Sequence, residues 1–438
     1  MNRGWNALGD GRTGAGAGMR KLVFRLAVAA LVAALWLIPG AAGAQASTHA
    51  DPLAFDPAVQ DGLTHFYNLD YDGAMERFRH VIQVHPEEPL AYALALQVAV
   101  FRELYHQDLL DTTYYAHNSF LTTKRQVNID DRSRKDIESL TQNAEAASER
   151  RIKAEPHDKN AVKNALFARG FALGLHAAFI TLADHSYFTA AREGLSARND
   201  SEAVLKIDPA YADADMAVGL QQFAVASLPR LLRMAIGIAG LGGNKEKGLA
   251  LLRTASEKGV VTNIDSRTAL SLFLRHDGRY AEALAVQHGL AEEFPHNYLF
   301  RLEEANLAKD EGNGPLAISI YTEVISDASK RGYFTGARLQ MAYFGLADTE
   351  RGQNDLADAA KGYVESAKQP NNSDWLRKRA ELNAGEMFDL LHDRAAAIKQ
   401  YQKAAAAGGD QSKADEARKY LRAPYNDVQH PLRWNHPR

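Results

Sequence analysis

The sequence predicts an all-α fold, an α-α superhelix of antiparallel helix pairs with longer and less regular helices in its middle. Pairs of small residues recur twelve positions apart, beginning with Gly62 and Ala74, at the spacing where the two helices of a hairpin touch. No segment shows the sustained apolar-polar alternation of a β-strand, and no Asn-Gly turn separates two apolar runs. These observations favour stacked helical hairpins over any sheet.

The N-terminal residues 1–44 are typical of an export signal peptide. Met19-Arg20-Lys21 and Arg25 supply basic residues before an apolar run from Leu26 to Ile38, and a small-residue site, Ala42-Gly43-Ala44, follows it. The run is shorter than the roughly 20 residues needed to span a bilayer, which favours removal over anchoring. We therefore expect a mature chain that begins at Gln45 and is periplasmic or secreted, whether translation starts at Met1 or at Met19.

The composition excludes several classes of function. The chain has no cysteine, so disulfides, thiolate metal sites and thiol nucleophiles are excluded. The signal holds five of the 51 Lys and Arg residues and one of the 54 Asp and Glu residues, which leaves a mature formal charge of −7. A mildly acidic chain without a basic patch argues against nucleic-acid binding.

The first repeat unit shows the pattern most clearly. Gly62 and Ala74 allow close helix contact, Tyr71 and Phe78 fill the space between helices, and Pro86 stops the second helix. The C-terminal half repeats this pattern. Its units are marked by Gly278, Tyr280, Ala283, Leu290 and Pro295; by Ala305, Ala317, Tyr321 and Val324; by Ala347, Ala359 and Tyr363; and by Gly385, Ala397, Tyr401 and Ala404.

The sequence pattern in the middle of the chain predicts longer helices. Apolar spacing indicates helices over 91–110, 132–153, 160–184 and 186–207. The apolar stretch 215–241, in which Pro229 starts a new helix, is interpreted as a core helix because Arg230 and Arg233 interrupt it. We thus divide the chain into a signal (1–44), an N-terminal unit and following helix (45–110), an irregular middle (111–265), a C-terminal array (266–422) and a tail (423–438).

These residues resemble the tetratricopeptide-repeat superfamily, and the opening unit with Phe101-Arg102-Glu103-Leu104-Tyr105 is similar to exported bacterial members. The central segment is similar to the tetratricopeptide repeat protein 39 and inclusion-body-clearance family. That similarity rests on Gly219, Phe223, Ser227-Leu228-Pro229, Leu231-Leu232, Gly240, Gly243-Asn244, Gly248-Leu249 and Leu252.

The resemblance implies a right-handed superhelix whose first helices line a concave groove for a peptide or partner helix. The groove candidates that it implies are Leu63, Phe66, Tyr67, Arg275, His276, Asn306, Lys309, Asp348, Arg351, Glu386 and Asp389. The alternative interpretation is that the aromatic residues among them belong to the core and that the polar ones only solvate an outer face.

No motif for catalysis stands out. The histidines lack metal-ligand spacing, and neither a Gly-x-Ser-x-Gly elbow nor a phosphate loop is present. We predict no catalytic residue, no metal, no cofactor and no enzyme activity. The leading hypothesis is an exported scaffold for a protein or peptide partner. The alternatives are a membrane-associated assembly factor, held by an uncleaved N-terminal helix or by the stretch 216–241, and an enzyme whose site combines residues distant in sequence.

Overall fold

The computed structural model describes residues 49–114, 127–227, 242–406 and 410–426. The chain divides into two compact units, Met1–Thr48 and His49–Arg438, and the described residues all belong to the second. The predicted signal (1–44), the stretch 228–241 with Pro229, and most of the tail lie outside the described residues.

Seventeen α-helices and no strand occur in this described part, which confirms the predicted all-α fold. The first eight are α1 (Pro57–Tyr67), α2 (Tyr71–Val84), α3 (Pro89–His106), α4 (Asp131–Ala154), α5 (Lys159–Leu182), α6 (Tyr187–Ile207), α7 (Asp215–Ser227) and α8 (Lys245–Lys258). The others are α9 (Asn263–His276), α10 (Tyr280–Glu293), α11 (Tyr298–Glu311), α12 (Gly314–Asp327), α13 (Gln340–Gly352), α14 (Leu356–Lys368), α15 (Asp374–Leu390), α16 (Arg394–Ala404) and α17 (Gln411–Arg422).

Consecutive helices form antiparallel pairs that stack along the chain. The pairs α1–α2 to α15–α16 are units 1 to 8, and α17 packs on the last of them. Helices α4 and α5 have 24 residues and α6 has 21, whereas α9 to α12 have 14 each, so the predicted lengthening of the middle helices is present.

The helices of a regular unit touch where a small residue faces an aromatic ring sixteen positions later. A Cβ atom on Gly62 would lie 2.7 Å from Cε1 of Phe78, and one on Gly385 would lie 2.4 Å from Cε1 of Tyr401. Ala305 and Tyr321, like Ala347 and Tyr363, are fully buried at the same spacing. The small residues therefore set the distance between the two helices of each pair.

In units 1 and 5 to 8, the turn between the two helices contains one residue with a left-handed backbone, seven positions after the small residue of the first helix. These residues are Leu69, Gly278, Gly312, Asn354 and His392. Only two of the five are glycine, so glycine alone would not have located the turns.

Glycines also explain the distinctive sequence of the middle units. A Cβ atom on Gly219 would lie 3.0 Å from the carbonyl oxygen of Gly248, and one on Gly170 would lie 3.0 Å from that of Ala197. Next to the first crossing, Phe223 stacks on Phe273 with ring centroids 4.1 Å apart. Of the residues that suggested the narrower family resemblance, Gly219, Phe223, Gly248, Leu249 and Leu252 thus pack α7 against α8 and α9, and those in 228–241 lie outside the described residues.

Helix α3 is the central element of the core. The helix carries apolar residues on every face, and nearly every residue from Pro89 to Val100 is buried. This pattern is expected of a helix enclosed by other helices. It ends at His106 rather than at the predicted residue 110, because Asp108 adopts a left-handed backbone with φ +55°. One hydrophobic cluster runs from Leu53 through α3 to Ala342 and joins the N-terminal units to units 5 to 7.

Candidate protein-binding surface

The first helices of units 6 to 8 each carry polar residues one and four positions after the small residue that packs on the second helix, and unit 5 carries Arg275 four positions after Ser271. These positions share one stripe of a helix. In α9 and α11 the stripe turns toward α3 and the residues after it. We call this surface the inner face. Its members are Arg275, Asn306, Lys309, Asp348, Arg351, Glu386 and Asp389.

The candidates in the first unit lie in the core. Leu63, Phe66 and Tyr67 are all buried. The Phe66 ring packs edge-on against Phe101 at 5.3 Å, and the Tyr67 ring lies 5.6 Å from that of Phe294. These three side chains therefore contact the chain itself, as the core interpretation predicts.

The N-terminal units close directly onto the C-terminal array. The Asn297 amide donates to the carbonyl oxygen of Tyr67 at 2.6 Å, and the Gln97 amide donates to a carboxylate oxygen of Asp265 at 2.6 Å. Burial raises the pKa of Asp265 to about 7, which makes an ionised carboxylate costly there. Units 1 and 2 are thus fixed against units 5 and 6 by buried polar contacts.

Asp108, just after α3, anchors the chain across more than 200 residues. Its Oδ1 accepts hydrogen bonds from Arg338 Nε and Gln340 Nε2, both at 2.8 Å, and its Oδ2 accepts one from the Ser373 N–H at 3.3 Å. The Asp108 side chain is 1% exposed and that of Arg338 is 9% exposed. A buried ion pair of this kind fixes how the segment after α3 sits against units 7 and 8, since loss of either partner leaves a buried charge unpaired.

Arg275 shows how the chain fills its own inner face. Its Nη1 donates to Thr112 Oγ1 at 2.7 Å and to Glu303 Oε1 at 3.1 Å, and its Nε donates to Asp310 Oδ2 at 2.8 Å. Burial opposes its charge, but the carboxylates of Glu303 and Asp310 outweigh this effect, so the pKa of Arg275 is raised above its ordinary value. This candidate is fully occupied by intramolecular contacts.

Two further candidates beside Arg275 also have partners. Asn306 accepts a hydrogen bond from the Tyr321 hydroxyl at 2.6 Å and donates to Glu303 at 3.2 Å. His276 is half-buried, and its ring lies edge-on to that of Phe223 at 5.9 Å.

The C-terminal end of the inner face forms a second polar group. Arg351 Nη1 lies 3.3 Å from Glu386 Oε2, and the Tyr363 hydroxyl donates to Asp348. Asp389 accepts hydrogen bonds from the Tyr401 hydroxyl at 2.9 Å and from the Tyr425 N–H at 2.7 Å. Burial raises the pKa of Glu386 to about 7, and the charge of Arg351 partly offsets this effect.

Lys309 differs from its equivalents in the neighbouring units. Arg275, Lys309 and Arg351 stand at the same position in the last turn of α9, α11 and α13. Both arginines pair with a carboxylate of the next first helix, Asp310 and Glu386. Lys309 is only 9% exposed, and its backbone carbonyl accepts the Gly312 N–H at 3.0 Å, yet in the described part of the chain its ammonium group has no hydrogen bond or ion pair. Its Nζ is not among the buried side-chain atoms that lack a partner, so the ammonium group at the end of this largely buried side chain reaches solvent and is open to an acceptor.

One residue in the sequence indicates the closure of the fold. Gln97 is a polar residue inside the otherwise apolar first half of α3, and such a residue needs a buried partner. Asp108, Thr112 and Arg338 carry no comparable signal, because the partners that close the fold lie 163 to 265 residues away in sequence.

Among the described residues, no group of three or more His, Asp or Glu side chains could hold a metal ion. Helix α5 is the one described helix with the length and composition to cross a membrane, and 61% of its most apolar 18-residue stretch is buried within the fold.

No family model matches the sequence, and no curated protein matches it. Yeast Tom70 is a similar solved structure, with 13% identity and a TM-score of 0.39, over 87% of this chain and 90% of that one. A tetratricopeptide repeat protein from Parabacteroides merdae has 14% identity and a TM-score of 0.33, over 76% and 99%. A human IFIT1 dimer with PPP-AAAA has 12% identity and a TM-score of 0.39, over 84% and 82%. The narrower family resemblance stays a prediction.

Proposed function

We propose that this chain is an exported, non-enzymatic scaffold that holds an acidic segment of a protein partner beside Lys309, the inner-face residue of units 5 to 7 whose side chain has no partner among the described residues. The observation that carries the proposal is the ammonium group of Lys309, which has no carboxylate partner among the described residues, whereas the arginines at the same position in the neighbouring units both have one. A carboxylate of the partner would occupy the acceptor position that the chain leaves empty at this one unit.

The surroundings of Lys309 favour a polypeptide as the occupant. Asp348 lies on the same stripe, is half-buried and accepts one hydrogen bond, from the Tyr363 hydroxyl, so its carboxylate can still accept from a peptide N–H, whereas Asn306 is already bonded to Tyr321 and Glu303. An extended segment can place one acidic side chain against Lys309 and satisfy its backbone groups with such neighbours. A buried, charge-assisted pair contributes more than a pair at an open surface, because water screens it less.

The test uses the mature protein from the exported fraction, where we expect the chain to begin at Gln45, and a phage-displayed library of random peptides as the probe. We expect enrichment of peptides that contain Asp or Glu. The substitution Lys309→Met keeps the length of the side chain and removes its charge, and it should weaken their binding by about tenfold or more.

The matched control is Lys361→Met, which alters an exposed lysine of α14 and should leave binding unchanged. Circular dichroism and thermal melting establish that both variants are folded. Enriched peptides that bind the Lys309→Met variant as tightly as the parent chain, or a library that yields no binding peptide, would overturn the proposal.

A further inference from the structure

The carboxylate of Asp111, in the segment after α3, lies against the inner face of unit 6. Its Oδ1 accepts a hydrogen bond from Asn306 Nδ2 at 3.4 Å. Asn306 and Lys309 stand three positions apart on α11, so their side chains are neighbours on one side of that helix. Asp111 is half-buried, and no ion pair involves it in the part of the chain that the structure describes. An anionic and a cationic group, neither with a charged partner, therefore lie next to Asn306.

Asp111 is held in place by the segment that carries it. The Thr113 N–H donates to Asp111 Oδ1 at 2.9 Å. Arg275 in turn donates to Thr112 Oγ1 at 2.7 Å and to Thr113 Oγ1 at 3.2 Å. Because these contacts already fix the backbone around Asp111, its carboxylate would lose little conformational entropy when it binds a ligand.

Arg275 does not neutralise Asp111, although it binds the two threonines that follow. Its guanidinium group pairs with Glu303 at 3.1 Å and with Asp310 at 2.7 Å. Burial raises the pKa of Glu303. Even when Glu303 is protonated, Asp310 balances the single charge of Arg275. Asp111 is thus left without a counter-charge, and a cationic group of a ligand would supply one.

We propose that Asp111 binds a basic residue of the same partner segment whose acidic residue binds Lys309, an inference that rests on the proposed function. Opposite charges at adjacent places on the inner face complement a segment in which an acidic and a basic side chain stand close together. They also select the direction in which the segment lies, because the reverse direction would bring each charged side chain to a group of like charge.

The test uses the mature protein and the peptides that the random library yields on the parent chain. We expect a Lys or Arg close in sequence to the Asp or Glu of these peptides. In one such peptide the basic residue is replaced by glutamine, and titration calorimetry measures the binding of both peptides. The parent chain should bind the glutamine peptide about threefold or more weakly than the original, whereas the Asp111→Asn variant should bind the two peptides equally.

Asp111→Asn keeps an oxygen that can accept the Thr113 N–H, so the segment should stay in place. The matched control is Asp358→Asn, which removes an exposed carboxylate of α14 and should distinguish the two peptides as the parent chain does. Circular dichroism and thermal melting establish that both variants are folded.

Two results would overturn this inference and leave the proposed function in place. One is an Asp111→Asn variant that distinguishes the two peptides as strongly as the parent chain does. The other is a set of enriched acidic peptides without a nearby basic residue. Peptide binding that Lys309→Met does not weaken, or a library that yields no binding peptide, would instead overturn the proposed function and this inference with it.

Discussion

At the scale of single residues, buried charge marks the places where distant parts of the chain meet. Asp108, Arg275 and Asp265 each bond to residues more than 160 positions away in sequence. Their partners could not be predicted from the sequence, because the local pattern around a charged residue does not reveal what packs on it after folding. The buried Gln97 alone could have indicated such a contact.

Asp51 provides a test of burial at this scale. It is 3% exposed, its Oδ1 accepts the Leu53 N–H at 2.9 Å, and burial raises its pKa from 3.8 to about 6. Since the folded-state pKa is raised, the stability that the protonated Asp51 carboxyl group contributes is fully present below about pH 3.8. This contribution is lost as the pH rises through about 6. Asp51→Asn keeps a side-chain oxygen that can accept the Leu53 N–H. Because asparagine has no carboxyl group to ionise, the substitution removes this loss of stability at higher pH.

We expect Asp51→Asn to raise the free energy of unfolding by about 2 kcal/mol near pH 7.5 and by much less near pH 4. Urea unfolding at the two pH values measures this. An equal effect of the substitution at both values would show that the carboxyl group of Asp51 is not shielded from water as described.

At the scale of elements, the regular helix pairs could be predicted because the residues that define them are close in sequence. The small residue, its partner twelve positions on and the aromatic ring sixteen positions on all lie within one hairpin. The end of α3 could not be placed, since Asp108 takes its left-handed backbone where tertiary hydrogen bonds hold its side chain. The polar stripe on α9 to α15 could be predicted, but its contacts with the chain itself could not.

Gly385→Ala tests the contact that sets helix spacing in unit 8. The new Cβ would lie 2.4 Å from Cε1 of Tyr401, whose hydroxyl is held by Asp389 at 2.9 Å. The ring cannot move away without breaking that hydrogen bond. We therefore expect the free energy of unfolding, measured in urea, to fall by about 1 to 3 kcal/mol.

The control for this substitution is Gly194→Ala in α6, where a Cβ would meet nothing within 4 Å. Alanine is a better helix former than glycine, so the free energy of unfolding of this variant should rise by up to about 1 kcal/mol. Similar effects of the two substitutions would contradict the role given to the small residues.

At the scale of the whole molecule, the described chain is a solenoid that closes on itself. Helix α3 and residues 107–113 occupy the inner face of units 5 to 7, and only Lys309 remains there without a partner among the described residues. This closure joins units 1 and 2 to the C-terminal array in one hydrophobic cluster, whereas repeats of an open solenoid contact only their neighbours.

The closure is tested most directly by a double-mutant cycle on Asp108 and Arg338, using Asp108→Asn, which tolerates the left-handed backbone, and Arg338→Met. We predict a coupling free energy of about 2 kcal/mol in urea unfolding, because the pair is buried. The exposed pair Arg279 and Glu282, within α10 and the turn before it, serves as the reference and should give about 0.5 kcal/mol or less. Additivity of the two substitutions at Asp108 and Arg338 would contradict the closed solenoid.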